Sequence, residues 1–369
     1  MKKVTMAFVA IAIAAITFTS CSKDSDSVER EVETYDYSPI LTTYVDQTIL
    51  PTYKSMKDNS KILLEKVQAF SVSSSQDDLN AACEYWKKTR KPWEQSESFL
   101  FGPAAYASLD PLLDSWPLDQ AQLQQVLDGN AELTVDYVRE GLGAVLRGFH
   151  TVEFLLFREG QPRAAAEVTK REKQYLNAVT EVLRDDCLTL WALWDGGASE
   201  KELMDAIELE VPVAYADEFK SAGKAGSRYV SQIDAVDEIL QGIMVIADEV
   251  GSGKIATPVE TGNVLEVESW FSWNSREDFM DNMRSIENSY MGGVDKTKRG
   301  ACLSDFVKEK DQALDEEVKA QIQKAIDSID AIPQPFRNNL NHANCKVAME
   351  EVGKLLNMFE TKVRPLVVK

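Results

Sequence analysis

The sequence of 369 residues predicts an all-α protein built as two helical bundles. Three observations carry this. Apolar residues recur at three- and four-residue spacing over most of the chain, which places them on one face of a helix. Almost no stretch shows the period-two alternation of a half-buried strand. The 18 glycines and 12 prolines mostly fall between the periodic stretches, where they end helices. With 44% hydrophobic residues the chain can bury one large core or two ordinary ones, and about 150 residues per domain favours two.

The N-terminus is set apart from that fold. Lys2 and Lys3 precede an apolar run over residues 4–18. The run is shorter than the roughly 18–20 residues that span a bilayer, so residues 1–20 read as a signal peptide. Cys21 at the cleavage point resembles a lipobox cysteine, with Phe18 in place of the usual Leu, and would become the lipid-modified first residue. Residues 21–36 then form a polar linker. Its segment Ser22-Lys23-Asp24-Ser25-Asp26 resembles the acidic export signal of surface-displayed lipoproteins of Bacteroides-type bacteria. The expectation is a cell-envelope, outer-membrane lipoprotein, facing either the periplasm or the cell exterior and held to the membrane by its lipid alone.

The elements follow in order. Ile40, Leu41, Tyr44 and Val45, then Ile62, Leu63, Val67 and Phe70, predict a long first helix over 39–70, bent near Pro51. Ser71 to Ser75 break it, and Gln76-Asp77-Asp78 open a second helix with acids at its positive end. That helix is expected to run through Trp86 and Arg90 toward Phe101, kinked at Pro92 and stopped by Gly102-Pro103. Pro103, Pro111 and Pro117 allow only short pieces over 104–130. A helix through His150 ends near Glu159-Gly160-Gln161-Pro162, and a long one over 168–194 is closed by Asp195-Gly196-Gly197. That closure marks the expected boundary between domains 37–196 and 197–369. Beyond it come a short helix over 200–209, a long one over 213–249 stopped by Gly251-Ser252-Gly253, a loop over 257–262, and helices over 276–291, 317–329 and 343–358.

Sixty acidic against 40 basic residues give a net charge of −20, which repels phosphate backbones and excludes nucleic acid as an expected partner. Apart from Cys21 the chain has Cys83, Cys187, Cys302 and Cys345, and no Cys-x-x-Cys. Zinc ribbons and thioredoxin-type redox sites are therefore not indicated. In an oxidising compartment a Cys302–Cys345 disulfide is the favoured pairing, both residues lying in the C-terminal half, with buried free thiols as the alternative.

One stretch carries chemistry. Arg147-Gly148-Phe149-His150-Thr151-Val152-Glu153-Phe154-Leu155-Leu156-Phe157 places one of only two histidines and a carboxylate inside an apolar run. In a helix His150 and Glu153 share a face at i and i+3, and leaving either unsatisfied in the interior costs on the order of 2–7 kcal/mol. Two outcomes are open: the pair satisfies itself within a bundle, or it meets an ion. Gly148 removes a side chain where another element or a ligand could approach. With His342 the only other histidine, and near Asn338, Asn339, Asn341 and Asn344 assigned no role, any metal site must be carboxylate-rich. Such donors suit iron, manganese or calcium. Glu97 and Glu94 are the candidate further ligands, and Arg90 the partner of a buried carboxylate. His-Glu-x-x-His, Gly-x-Ser-x-Gly and phosphate-binding glycine loops are absent.

Gly148-x-His150-x-x-Glu153 resembles the signature of the imelysin family, and two further blocks agree with it. Residues 85–103 contain Trp86, Arg90, Glu94-Gln95-Ser96-Glu97 and Phe101-Gly102-Pro103; residues 266–275 contain Ser269-Trp270-Phe271-Ser272, followed by Asp278 and Asn282. The resemblance implies two duplicated bundles with the functional site in the cleft between them. Glu97, Phe101 and Gly102, matched in spacing by Glu287, Met291 and Gly292, fit such a duplication. It also implies a role in bacterial iron uptake, with iron, haem or a metal complex as ligand and an outer-membrane transporter as partner; the family's older description, a metal-dependent peptidase, is the alternative. His150, Glu153, Glu97 and Glu94 would bind the ligand. Arg90, Gly148, Ser269, Phe271 and Ser272 would line the cleft, with Trp270 and Trp273 beside them.

Overall fold

The computed structural model describes residues 35–368; the expected signal peptide, Cys21 and the acidic segment lie outside them. The fold is helical, and the described residues from Asp36 onward pack as one compact unit. Helix α1 (Ser38–Thr43) runs through a π-helical turn, Tyr44–Ile49, into α2 (Leu50–Ser73). Pro51 supplies no N–H, so the carbonyl of Gln47 four residues back is free, and it accepts from Val294 N–H at 2.9 Å. Helix α3 (Gln76–Glu94) handles Pro92 in the same way: the carbonyl of Lys88 accepts from Asn59 Nδ2 of α2 at 3.1 Å. Each proline thereby ties its helix to a neighbour. Helix α3 stops at Glu94 rather than near Phe101; a 3-10 turn, Glu97–Phe99, follows.

The proline-punctuated stretch yields α4 (Pro103–Tyr106), α5 (Leu109–Asp114), α6 (Gln120–Asp128) and α7 (Val135–Gly141). Helix α8 (Gly148–Leu156) carries the His150 motif and is shorter than expected. The residues after it form a two-strand antiparallel ladder, β1 (Phe157–Arg158) with β2 (Gln161–Pro162), turning at Glu159-Gly160. Helix α9 (Lys170–Asp195) begins with a capping box of Thr169 and Glu172 and ends at Gly196 in the left-handed conformation. It buries Leu176, Val179, Val182, Leu183 and Leu190, each worth about 1.5–3 kcal/mol.

The second half departs further from expectation. The predicted helix over 213–249 is two, α11 (Tyr215–Lys220) after the short α10 (Lys201–Ala206), and α12 (Gln232–Asp248). Gly223 and Gly226, both at positive φ, interrupt it, and Ser231 recaps the chain. Conversely, Gly251 and Gly253 do not stop the helix. It widens into a π-helical turn, Glu249–Ile255, continues as α13 (Ala256–Thr261), and ends at Gly262, so the expected loop over 257–262 is helical. Helix α14 (Ser275–Met291) follows expectation, whereas α15 (Leu303–Lys310) was not foreseen and α16 (Gln312–Asp330) starts five residues early. Helices α17 (Ala343–Met358) and α18 (Arg364–Val367) complete the chain.

Helix α2 packs on α3 and α9, α16 packs on α14 and α17, and α3 packs on α14, joining the two sets. The expected Cys302–Cys345 disulfide is not formed: the four described cysteines are free and buried. Cys302 caps α15, its Sγ 3.4 Å from Asp305, while the Cys345 thiol donates to the carbonyl of Asn339. Each thiol thus has a local partner. Among the described residues no helix is long and apolar enough to cross a membrane.

Candidate metal-binding site

A glycine brings the first two site residues together. Gly148 has φ +76°, and a Cβ there would lie 2.3 Å from the carbonyl oxygen of Leu113. The missing side chain lets the end of α5 close on the first turn of α8. Asp114, the last residue of α5, then places Oδ1 3.0 Å from His150 Nε2, while Trp93 Nε1 donates to Oδ2 at 2.6 Å. Trp116 covers the imidazole with ring centroids 4.5 Å apart, and His150 is 1% exposed.

Glu153 holds the other side of the ring. Its Oε2 faces Nδ1 at 3.2 Å, and its Oε1 accepts from the backbone N–H and the hydroxyl of Ser272 at 2.8 and 2.7 Å. Ser272 sits on a loop bent by positive φ at Ser269 and Trp273. The β1–β2 turn braces this loop: Gly160 N–H donates to the Phe271 carbonyl at 2.9 Å, and a Cβ on Gly160 would meet the Trp273 ring. Glu153 therefore orients His150, directing Nδ1 toward itself and Nε2 toward the acidic cluster.

That cluster is built around two cations. Arg90, fully buried on α3, bridges Asp114, Glu94 at 2.5 Å and Glu268 at 2.7 Å, with Asp278 3.6 Å from Nε. Asn282 Nδ2 donates to Glu94 Oε2 at 2.6 Å. Lys254, from the π-helical turn, lies 3.2 Å from Glu268, 3.4 Å from Glu97, 3.6 Å from Glu94 and 3.9 Å from Glu249. The carboxylates of Glu94, Glu97, Asp114, Glu153, Glu249, Glu268 and Asp278 outnumber these two permanent charges, and protons make up part of the difference.

Burial pushes the carboxyls of Glu94 and Glu97 well above the usual range, and that of Asp278 up to about 7. Asp114 goes the other way: burial raises it, but Arg90 and then His150 hold it ionised, well below the ordinary value. For His150, burial opposes the imidazolium, yet the Asp114 carboxylate overrides it and lifts the ring to about 9. Lys254 stays charged for the same reason, its buried ammonium held above the ordinary value first by Glu268, then by Glu97 and Glu94.

Beside the cluster opens a cavity of about 620 Å³, its wall formed by Glu97, Asp110, Asp114, Glu249, Lys254, Glu266 and Glu268 together with Trp116, Pro117 and Leu100. Burial raises Asp110 to about 6. Of the residues expected to bind ligand, His150, Glu153, Glu94 and Glu97 are all brought into this region, but only Glu97 faces the cavity. Arg90, Gly148, Ser269, Phe271 and Ser272, expected to line a cleft, are buried and do not line it. The reasons are physical: Arg90 needs several anions at once, Gly148 makes room for backbone, and Phe271 packs edge-on against Phe154 at 5.2 Å.

The Imelysin family model matches residues 49–358, most of the chain. The chain belongs to the imelysin family. It is similar to Iron-regulated protein A of Synechococcus elongatus, 28% identical over 328 residues that span 88% of this chain and 85% of that protein. A crystal structure of a protein from Parabacteroides distasonis, described as an iron-regulated protein A precursor, superposes with TM-score 0.80 at 34% identity, covering 90% of this chain and 95% of that one. An imelysin-like protein from Psychrobacter arcticum shares the fold, with TM-score 0.68 at 13% identity and coverage of 89% and 94%.

In this imelysin, two donor groups have ligand atoms within 4.8 Å of one another: Asp114, His150 and Glu268, and Glu94, Glu97 and Asp114. The first fits a borderline or hard cation, because it offers one imidazole with carboxylates. His150 Nε2 and Glu268 Oε2 are buried and met by ion-pair contacts alone, with Asp114 at 3.0 Å and Lys254 at 3.2 Å, so an ion would enter by replacing the imidazolium proton and the ammonium. Sequence reasoning missed Asp114, Lys254, Glu249 and Asp110. Glu266 and Glu268 lie within the third family-like block and Asp278 just after it, and the one signal for Asp114 was that Gly148 needed a backbone neighbour.

Proposed function

We propose that this imelysin is a binding protein of the cell envelope that holds iron, haem or another cationic metal complex at the His150 cluster and supports iron uptake. The observation that carries the reading is His150 Nε2. It is buried and lies 3.0 Å from Asp114 and 3.9 Å from Glu268, carboxylates that would share an ion with it once its proton leaves. Asp114, His150 and Glu268 would hold the ion, and a bound metal would neutralise carboxylates that Arg90 and Lys254 leave in excess. The cavity next to them has room for a chelated ion. The names of the similar proteins, which call them iron-regulated, support the same direction.

The peptidase alternative needs a general base facing bound substrate. Glu153 is poorly suited: one oxygen is taken by Ser272 and the other faces His150, and it does not line the cavity. His342 caps α17 through Nδ1 and adds no second imidazole. Site residues come from both sides of residue 196, as the proposed arrangement of duplicated bundles 37–196 and 197–369 with a shared site requires. A lipid on Cys21 would tether the protein to the outer membrane, on its periplasmic or its outer face, where an outer-membrane transporter would be its partner.

The test is metal analysis of the purified protein with iron titration of wild type and His150→Ala, beside a peptide-cleavage assay on both. Iron binding that is lost in the mutant, without cleavage in either, is the expected result. Cleavage that vanishes with His150 would transfer the assignment to the peptidase.

A further inference from the structure

We propose that Lys254 is a tethered counter-cation that an incoming metal ion displaces, so that this one side chain sets the affinity and release of the site. The inference rests on the metal-binding reading above. Lys254 belongs to the π-helical turn Glu249–Ile255, and π turns inside helices mark functional positions more often than chance. Its side chain is 9% exposed. The ammonium lies near members of both donor groups, Glu268 of one and Glu94 and Glu97 of the other.

The distances show that it is shared among several carboxylates and seated closely on none. Lys254 makes contacts of 3.2–3.9 Å with four carboxylates, whereas Lys319 meets Asp315 at 2.7 Å and Lys354 meets Glu351 at 2.6 Å. Glu268 Oε2, nearest to the ammonium at 3.2 Å, is buried and meets Lys254 through that ion-pair contact alone. A divalent ion carries twice the charge of the ammonium and sits at about 2.0–2.3 Å from its ligands, so it outcompetes the ammonium for the same oxygens. Glu249 is 49% exposed on the cavity wall and 3.9 Å from Nζ, and it receives the displaced side chain. Lys254 then returns when the ion leaves, which keeps the carboxylates of the empty site from pushing one another apart.

The test uses Mn²⁺ as the probe and the full mature chain. In wild type, acetylation of Lys254 by a water-soluble reagent, read by mass spectrometry, should rise at least threefold at saturating Mn²⁺; no rise, or protection, overturns the proposal. Lys254→Gln should bind Mn²⁺ at least tenfold tighter than wild type, and Lys254→Arg should stay within about threefold of wild type. Equal or weaker binding by Lys254→Gln, with wild-type binding still abolished by His150→Ala, overturns the role of Lys254 and leaves the site intact. Failure of both wild type and Lys254→Gln to bind Mn²⁺ overturns the site and this inference together. Binding by Lys254→Gln alone supports the inference, because the lysine then blocks the site outright.

Discussion

Gly148 and Leu113 meet at a distance that no other residue type permits: a Cβ on the glycine would stand 2.3 Å from the leucine carbonyl oxygen, on a backbone with φ +76°. This contact delivers Asp114 to His150 and so joins α5 to the motif helix. Gly148→Ala should therefore lower stability by more than about 2 kcal/mol in chemical denaturation, through strain and displaced backbone. Gly143→Ala is the control, since nothing lies within 4 Å of its Cβ, and it should change stability by less than about 0.5 kcal/mol. Equal effects at the two positions would contradict the packing argument.

Glu153 is a positioning residue for His150. Ser272→Ala removes one of the two hydrogen bonds to Oε1 and should cost about 1 kcal/mol of stability while weakening metal binding only a few-fold. Glu153→Gln should weaken metal binding more than Ser272→Ala, since its amide can turn a donor rather than an acceptor toward Nδ1. Titration of both variants with Mn²⁺ ranks them. The reverse order would mean that Glu153 does not act through the ring.

The pH dependence has a fixed sign. His150 is held at about 9 in the folded chain against an ordinary 6.5, so between these values the folded state binds a proton that the unfolded state lacks. Its stabilising contribution is full below pH 6.5 and fades as pH rises through 9, by roughly 3 kcal/mol in all. The difference between wild-type and His150→Gln stability should shrink over that window. Because Nε2 must be deprotonated to bind a metal, Mn²⁺ affinity should rise over the same range, with about one proton released per ion. Calorimetry in buffers of different ionisation enthalpy counts that proton, and a count of zero would contradict the assignment.

The cysteines give a check on the fold that is independent of the site. Burial pushes the Cys83 thiol up to about 12 and the Cys302 thiol up to about 11, so both should resist alkylation in the folded protein. After unfolding without reductant, Cys83, Cys187, Cys302 and Cys345 should all be alkylated. A Cys302–Cys345 cross-linked peptide in the digest would contradict the packing of α15 and α17.

Much of this was legible in the sequence because helix physics is local. The spacing of apolar residues located α2, α9, α14 and α17, and Gly196 and Gly292 stopped two of them in the left-handed conformation. The failures were also physical. Gly251 and Gly253 look like terminators, yet the helix absorbs them in a wider turn; that turn points Lys254 into the acidic cluster. Within the site, His150 and Glu153 stood out because polar groups in apolar runs are costly, and Glu94 and Glu97 because they lie in a block resembling the family's, expected on the neighbouring helix. Asp114 did not, since it lies in a proline-broken stretch where nothing in the sequence shows which way it faces. Lys254 needed the fold to bring Glu94, Glu97 and Glu268 around it, and no local pattern encodes that.

The central claim is that Asp114, His150 and Glu268 hold a metal ion, and anomalous diffraction from crystals soaked in Mn²⁺ tests it most directly. The expected result is a peak about 2.0–2.3 Å from His150 Nε2, with oxygens of Asp114 and Glu268 also in its coordination sphere. A peak elsewhere, or none in crystals of a protein that takes up Mn²⁺ in solution, would contradict it.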